Sequence, residues 1–274
     1  MRILVRHETI YRYDTPARSV NQVLRLTPRN HEGQHIVSWR IDIDADCRLM
    51  QSEDHFGNIV HSFSLRGPLP ELRVLVEGEA ETFDTAGVVR GTRERFPPEL
   101  FLRQTDLTTS NEALRRLALN IQRTYNTDLD RLHGLLQHIH QTMSFDTDPT
   151  HSATTAAEAW DLQRGVCQDF SHIFITCARQ MDIPARFVGG HFLRTDGVES
   201  QQAGHAWAEA FVAGLGWVGF DPAHGVSVHD CHVRVASGLD YLGAAPVRGI
   251  RTGGSVEDLE VVVRVSQAGW QSQS

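Results

Sequence analysis

The hydrophobic pattern changes its period twice along this chain of 274 residues, and that change limits the folds open to it. Apolar and polar residues alternate over short runs such as 3–11 and 72–76, as they do in β-strands. Beyond residue 107, apolar residues recur every three or four positions, as they do on one face of a helix. Strand-like runs return after Pro184. Helices followed by strands within one segment favour an α+β fold with helices packed on an antiparallel sheet.

Three segments follow from this pattern. Residues 1–84 carry many short strand-like runs separated by turns, which predicts a β-rich, β-sandwich-like N-terminal domain. Residues 85–106 lose periodicity at glycines and at Pro97-Pro98, and we predict a linker there. Residues 107–274 form a second domain that ends in further strands.

Bulk composition excludes several classes of protein. The net charge of −8 argues against a protein that binds nucleic acid through phosphate contacts. No apolar run is long enough to span a membrane, and the first residues lack the apolar core of a secretory signal. We therefore predict a cytoplasmic protein without nucleic-acid or membrane partners. The four cysteines contain no CxxC pair, so a disulfide framework is not expected.

Residues 165–170 read Gly-Val-Cys-Gln-Asp-Phe and place Cys167 at the first turn of an amphipathic helix. Free N–H groups and the positive end of the helix dipole favour a thiolate there. The apolar stripe of this helix begins at Phe170 and includes Cys177, so Cys177 is predicted to lie in the core. Cys167 lies outside the stripe and is the candidate nucleophile.

A thiol nucleophile needs a base, and the base needs an orienting group. Residues 204–210 read Gly-His-Ala-Trp-Ala-Glu-Ala, and residues 214–222 read Gly-Leu-Gly-Trp-Val-Gly-Phe-Asp-Pro. Two strands joined by the turn at Gly214–Gly216 would place His205 and Asp221 together at the open end of a hairpin. An Asp221 carboxylate would then fix the tautomer of the His205 ring.

These three motifs, in this order, resemble the bacterial transglutaminase-like superfamily, including its cysteine-protease type and its N-terminal region. The resemblance implies a papain/transglutaminase-like catalytic core over 107–274, preceded by the β-sandwich-like domain. It also implies that Cys167 is the nucleophile, His205 the base and Asp221 the orienting acid. The resemblance also implies supporting roles for Gln168 and Asp169. Trp207 is expected to support the site by packing beside it.

Such a triad acts on peptide or amide bonds through a thioester. We predict a peptidase or amide hydrolase whose substrate is a peptide or protein. The alternative is a protein-glutamine γ-glutamyltransferase with the same triad, and a non-catalytic binding module is a third possibility. No cofactor is predicted. The run from His229 to His232, His-Asp-Cys-His, lacks a recognised zinc spacing, so no metal site is predicted.

Overall fold

A computed structural model describes residues 1–254 and 256–269 of the chain. Residues 255 and 270–274, which belong to the predicted second domain, lie outside the described residues. The helices are α1 (Glu112–Thr124), α2 (Asp128–Thr142), α3 (Ala156–Leu162), α4 (Cys167–Gln180) and α5 (Tyr241–Ala244). The strands are β1 (Arg2–Thr27), β2 (Gln34–Ile43), β3 (Met50–Glu53), β4 (Ile59–Thr82), β5 (Val88–Val89), β6 (Ser144–Phe145), β7 (Arg164–Gly165), β8 (Ala185–Phe192), β9 (Ser200–Gln201), β10 (His205–Val212), β11 (Gly216–Asp221), β12 (Val226–Ser227), β13 (His232–Gly238), β14 (Val247–Thr252) and β15 (Glu257–Gln267).

The N-terminal region is built on two long antiparallel strands, β1 and β4, which pair along most of their length. Register shifts between Arg12 and Ser19 interrupt the regular pairing near the middle of β1. The first half of β1 pairs with β15 and the second half with β14. Apolar residues of both halves, including Tyr11 and Leu24, share one buried cluster. One apolar core therefore lies against both halves of β1.

The second region packs helices against an antiparallel sheet ordered β12-β11-β10-β8-β13 among the described residues. Helix α4 contacts α1, α2 and α3 as well as β8 and β10, and residues 169–179 of it are buried. Phe170, Ile173 and Phe174 are at most 1% exposed. Burying side chains of this size stabilises the fold by about 2 kcal/mol each. The catalytic candidate Cys167 thus begins a helix that is fixed along its whole length.

The two sheets are joined along β13. The amide of Gln34 donates to the backbone oxygen of Arg234 at 2.9 Å, and its oxygen accepts from the backbone nitrogen of Arg234 at 2.7 Å. Asn58 makes the same pair of bonds with the backbone of Ser237. Another apolar cluster contains residues of β1 and β15 together with Phe192 and Val233. These contacts place the N-terminal sheet directly behind the sheet that carries the site.

The fold class predicted from the sequence is confirmed: helices packed on an antiparallel sheet follow a strand-rich N-terminal region. The last two strands do not follow the predicted division at residue 107. Strands β14 and β15 pair with β1 of the N-terminal sheet and not with the second sheet. Residues 85–106 also contain ordered elements. Strand β5 pairs with β11, and Glu94 forms an ion pair with the buried Arg186 at 2.7 Å.

No helix in the described parts of the chain combines the length and the apolar character needed to cross a bilayer.

Candidate active site

The start of helix α4 is held in place by the carboxylate of Asp169. Its Oδ2 accepts from the backbone nitrogen of Val166 at 2.8 Å and from the Thr150 hydroxyl at 2.7 Å. A Cβ on Gly165 would lie 2.5 Å from that same oxygen, so the close approach requires glycine. Burial raises the pKa of Asp169 despite these two donors. The Gly-Val-Cys-Gln-Asp motif therefore fixes the helix end that carries Cys167, through contacts between residues close together in the sequence.

Cys167 is the first residue of α4 and is partly exposed. The first N–H groups of a helix have no partner within the helix, and their positive end favours negative charge. In the described parts of the chain, no carbonyl or side chain accepts from the N–H groups of Cys167 and Gln168. An oxygen anion formed next to the Cys167 sulfur could therefore accept hydrogen bonds from both groups.

His205 and Asp221 meet at the open end of the hairpin formed by β10 and β11. The two strands pair from Ala208–Phe220 to Val212–Gly216, so His205 begins one strand and Asp221 ends the other. His205 Nε2 lies 2.7 Å from Asp221 Oδ2, and both side chains are buried. Cys167 lies close enough to this ring to help raise the pKa of His205. Because Nε2 of His205 is hydrogen-bonded to Asp221, Nδ1 is the ring nitrogen that remains available to Cys167.

The surroundings of His205 favour its charged form. Burial alone would lower its pKa, but the charge and the hydrogen bond of Asp221, assisted by Cys167, raise the pKa of His205 to about 10. Burial would likewise raise the pKa of Asp221. The charge of His205 and the imidazole donors around the carboxylate instead hold that pKa well below its usual range. The pair is thus an imidazolium and a carboxylate at neutral pH, beside the sulfur of Cys167.

Two further histidines contact the Asp221 carboxylate. His224 Nδ1 lies 2.8 Å and His232 Nε2 lies 3.1 Å from Oδ2, the oxygen that also binds His205. The other oxygen, Oδ1, accepts from the backbone nitrogens of Ala223 and His224 at 3.1 and 3.3 Å. Five donors therefore satisfy a carboxylate that is fully buried, which explains how it stays ionised without water.

The supporting residues predicted from the sequence lie near the triad but differ in their contacts. Gln168 is partly exposed, and its amide donates to the backbone oxygen of Ser152 at 3.4 Å. Trp207 is buried, with its ring 6.1 Å from that of His205 and 5.2 Å from that of His232. Its Nε1 has no hydrogen-bond partner within residues 1–254 and 256–269. Trp207 therefore packs beneath the histidines, and Asp169 shapes the helix start.

Among residues 1–254 and 256–269, two groups of side chains have a spacing that could suit a metal ion. His205, Asp221 and His232 bring one ligand atom each within 4.8 Å of one another, as do His229, Asp230 and Cys231. Hydrogen bonds between the imidazoles and the carboxylate already account for the first group. In the second group, His229 Nδ1 accepts from the backbone nitrogen of Cys231 at 3.3 Å. Neither spacing requires a metal to explain it.

Sequence reasoning missed the roles of His224 and His232. His224 lies on the turn that follows Asp221-Pro222, where a signal was available: an aspartate side chain often accepts from backbone nitrogens just after it, which brings the next turn residues close to it. His232 comes from β13, whose position beside β8 follows from tertiary packing. No local pattern in the sequence brings it to Asp221.

Comparison with protein families gives two matches. The profile of the bacterial transglutaminase-like N-terminal region matches residues 3–81. The profile of the transglutaminase-like superfamily matches residues 115–222, a span that contains Cys167, His205 and Asp221.

Individual relatives cover almost the whole chain. An uncharacterized protein of Mycobacterium leprae is 29% identical over 294 residues, covering 97% of this chain and 99% of its own length. An uncharacterized protein of Mycobacterium tuberculosis is 28% identical, covering 91% of this chain and 87% of its own. The crystal structure of a candidate cysteine protease from Cytophaga hutchinsonii superimposes with a TM-score of 0.78 at 18% identity, over 99% of this chain and 92% of that one. The last likeness shows a shared fold.

Proposed function

Because the chain belongs to the transglutaminase-like superfamily, with the bacterial N-terminal region, we propose that it is a cysteine-nucleophile enzyme that hydrolyses peptide or amide bonds. Cys167 would be the nucleophile, His205 the acid and base, and Asp221 the residue that orients His205. The observation that carries this proposal is the 2.7 Å bond between His205 and Asp221, with Cys167 at a helix N-terminus close enough to the same imidazole to help raise its pKa.

The chemistry follows from the charges of these groups. The Cys167 thiolate adds to the carbonyl carbon of the substrate, and the oxygen becomes an anion near the free N–H groups of α4. When the carbon–nitrogen bond breaks, His205 donates its proton to the leaving amine, which leaves a thioester on Cys167. A water molecule then gives a proton to His205 and attacks the thioester. The acid leaves, and the thiolate and the imidazolium are restored.

Asp221 serves every one of these steps without exchanging a proton. Its bond to Nε2 keeps Nδ1 directed at the sulfur and stabilises the imidazolium, as in other triads. Its low pKa means that it remains an acceptor when His205 is charged. The buried position of both side chains preserves this bond from competition with water.

The acyl acceptor distinguishes hydrolysis from amine transfer. We place hydrolysis first because the neighbour of the same fold is itself described as a candidate cysteine protease. The test is mass spectrometry of a peptide library incubated with the enzyme, with and without an added primary amine. Hydrolysis predicts products that gain water and stay the same when the amine is added. Products that carry the amine in most molecules would instead make the enzyme a transferase.

A matched pair of variants assigns the products to Cys167. Cys167→Ala is expected to abolish turnover while leaving thermal stability nearly unchanged, since this partly exposed residue lies outside the buried stripe of α4. Cys177→Ala removes a thiol from the same helix at a fully buried position, where burial raises the pKa of the thiol. That variant is expected to remain active but less stable. Turnover by Cys167→Ala at the wild-type rate would refute the proposed nucleophile.

A further inference from the structure

The carboxylate of Asp221 receives more donors than a triad needs, and the additional histidine from β13 has a defined role. We propose that His232 is a positioning residue that fixes the Asp221 carboxylate and limits how strongly that carboxylate holds the His205 proton. This inference rests on the proposed function, since it concerns the acid and base of that site. It extends the site from three side chains to a unit that spans α4, β10, β11 and β13.

The hydrogen bonds of His232 define which ring nitrogen carries its proton. Its Nε2 lies 3.1 Å from Asp221 Oδ2, and a carboxylate only accepts. Its Nδ1 lies 3.3 Å from both the backbone nitrogen and the backbone oxygen of His229, and with the ring proton on Nε2 it accepts from that nitrogen. Burial lowers the pKa of His232, so the ring is neutral and has a single N–H. That N–H is at Nε2 and points to Asp221.

His232 is also better suited to this role than His224. The side chain of His232 is fully buried, whereas 37% of the His224 side chain is exposed. His232 is held at the beginning of β13, which pairs with β8 through His232 and Phe192. His224 lies on a turn with its ring 4.3 Å from that of Phe192. A buried donor on a strand holds one geometry, while water can replace an exposed donor on a turn.

The second effect of His232 is electrostatic. Asp221 Oδ2 is shared between three N–H donors, so each added donor weakens its attraction for the proton of His205. The groups that face the His205 ring from the surrounding elements are Cys167 on α4, Asp221 on β11, His224 on the following turn, His232 on β13 and His191 on β8. Among these groups, His232 is the buried donor that competes with His205 for Oδ2. Loss of its N–H would strengthen the hold of Asp221 on the imidazolium.

The test is the pH dependence of Cys167 alkylation by iodoacetamide in the full-length protein, followed by mass spectrometry of the Cys167 peptide. In His232→Leu, the transition at which His205 loses its proton is expected to move up by about one pH unit, the effect of one lost hydrogen bond to a charged group. His232→Gln offers an amide N–H near the position of Nε2. Its transition is expected to stay close to that of the wild type.

Two further variants make the outcome unambiguous. His7→Leu removes another buried histidine, whose ring contacts Thr9 and His191, and is expected to lower stability without moving the transition. If His232→Leu does not fold, His232→Asn carries the same expectation, because its shorter amide does not reach Asp221. A profile of the Leu or Asn variant that superimposes on the wild type would overturn the proposal. So would a Gln variant that is displaced as far as the Leu or Asn variant. Alkylation needs no substrate, so an enzyme that hydrolyses no peptide would refute the proposed function without affecting this test.

Discussion

Replacing Asp221 by Asn removes the charge on which the state of His205 depends. The carboxylate raises the pKa of His205 to about 10 against the opposing effect of burial. Without that charge, burial dominates, and the pKa of His205 is expected to fall to its ordinary value of 6.5 or below. An amide also cannot accept from all three imidazoles, because its nitrogen is a donor. The exchange conserves shape and changes charge, which is what a test of the ion pair requires.

The size of the effect follows from the two pKa values. The interval from 6.5 to about 10 corresponds to about 5 kcal/mol of preferential stabilisation of the imidazolium. In the mildly alkaline range, nearly all wild-type molecules would carry a charged His205, and only a few per cent of Asp221→Asn molecules would. We expect turnover to fall by roughly 10²- to 10⁴-fold, as in other triads that lose the carboxylate. Partial activity remains because the nucleophile is unchanged.

The assay is the rate of Cys167 alkylation by iodoacetamide as a function of pH, with unfolding measured in parallel. A folded-state pKa raised above 6.5 stabilises the protein fully below pH 6.5, and this contribution is lost as the pH rises through about 10. The wild type should therefore lose stability over that window, and Asp221→Asn should lack this slope. Glu209→Gln is the control, since Glu209 is a fully buried carboxylate on the same strand as His205 that pairs with Arg186 and Arg234. Identical alkylation profiles of Asp221→Asn and the wild type would refute the ion pair.

Two other features give further tests. Gly165→Ala places a Cβ 2.5 Å from Asp169 Oδ2, so we expect a loss of about 1–3 kcal/mol in the free energy of unfolding and slower alkylation of Cys167. A denaturant series measures the change in the free energy of unfolding. An unchanged value would show that the contact between Gly165 and the Asp169 carboxylate does not require glycine. Burial lowers the pKa of His7 to about 4 and those of His172 and His191 to about 3. The three histidines take up protons when the protein unfolds below pH 6.5, so the free energy of unfolding should fall on acidification by up to about 4 kcal/mol per pH unit. Urea titrations at a series of pH values would measure this slope, and a flat profile would contradict the expectation.

Much of the fold could be predicted because its signals are local. The change from period two to a helical period separates the strand-rich region from the helices, and the glycine and aspartate of the 165–170 motif mark the start of α4. The hairpin that joins His205 to Asp221 is also local, since a short turn determines which residues meet. Their catalytic roles stay predictions until activity is measured.

Other features depend on contacts between distant parts of the chain. Strand β15 pairs with β1 although at least 244 residues separate the paired positions, such as Tyr11 and Leu259, and no change of composition predicts that pairing. The sequence presents His232 within a short His-Asp-Cys-His run, whereas its partner is Asp221 on another strand. Sequence spacing cannot show which strand will lie beside a carboxylate.

If Cys167 is the nucleophile, it forms a covalent thioester with the substrate during turnover. The direct measurement is acid quenching of the enzyme during reaction with a peptide that it cleaves, followed by mass spectrometry of the peptide that contains Cys167. We expect this peptide to gain the mass of the acyl part of the substrate, and we expect no such adduct in Cys167→Ala. Turnover that continues in Cys167→Ala, with no acyl group on Cys167 in the wild type, would contradict it.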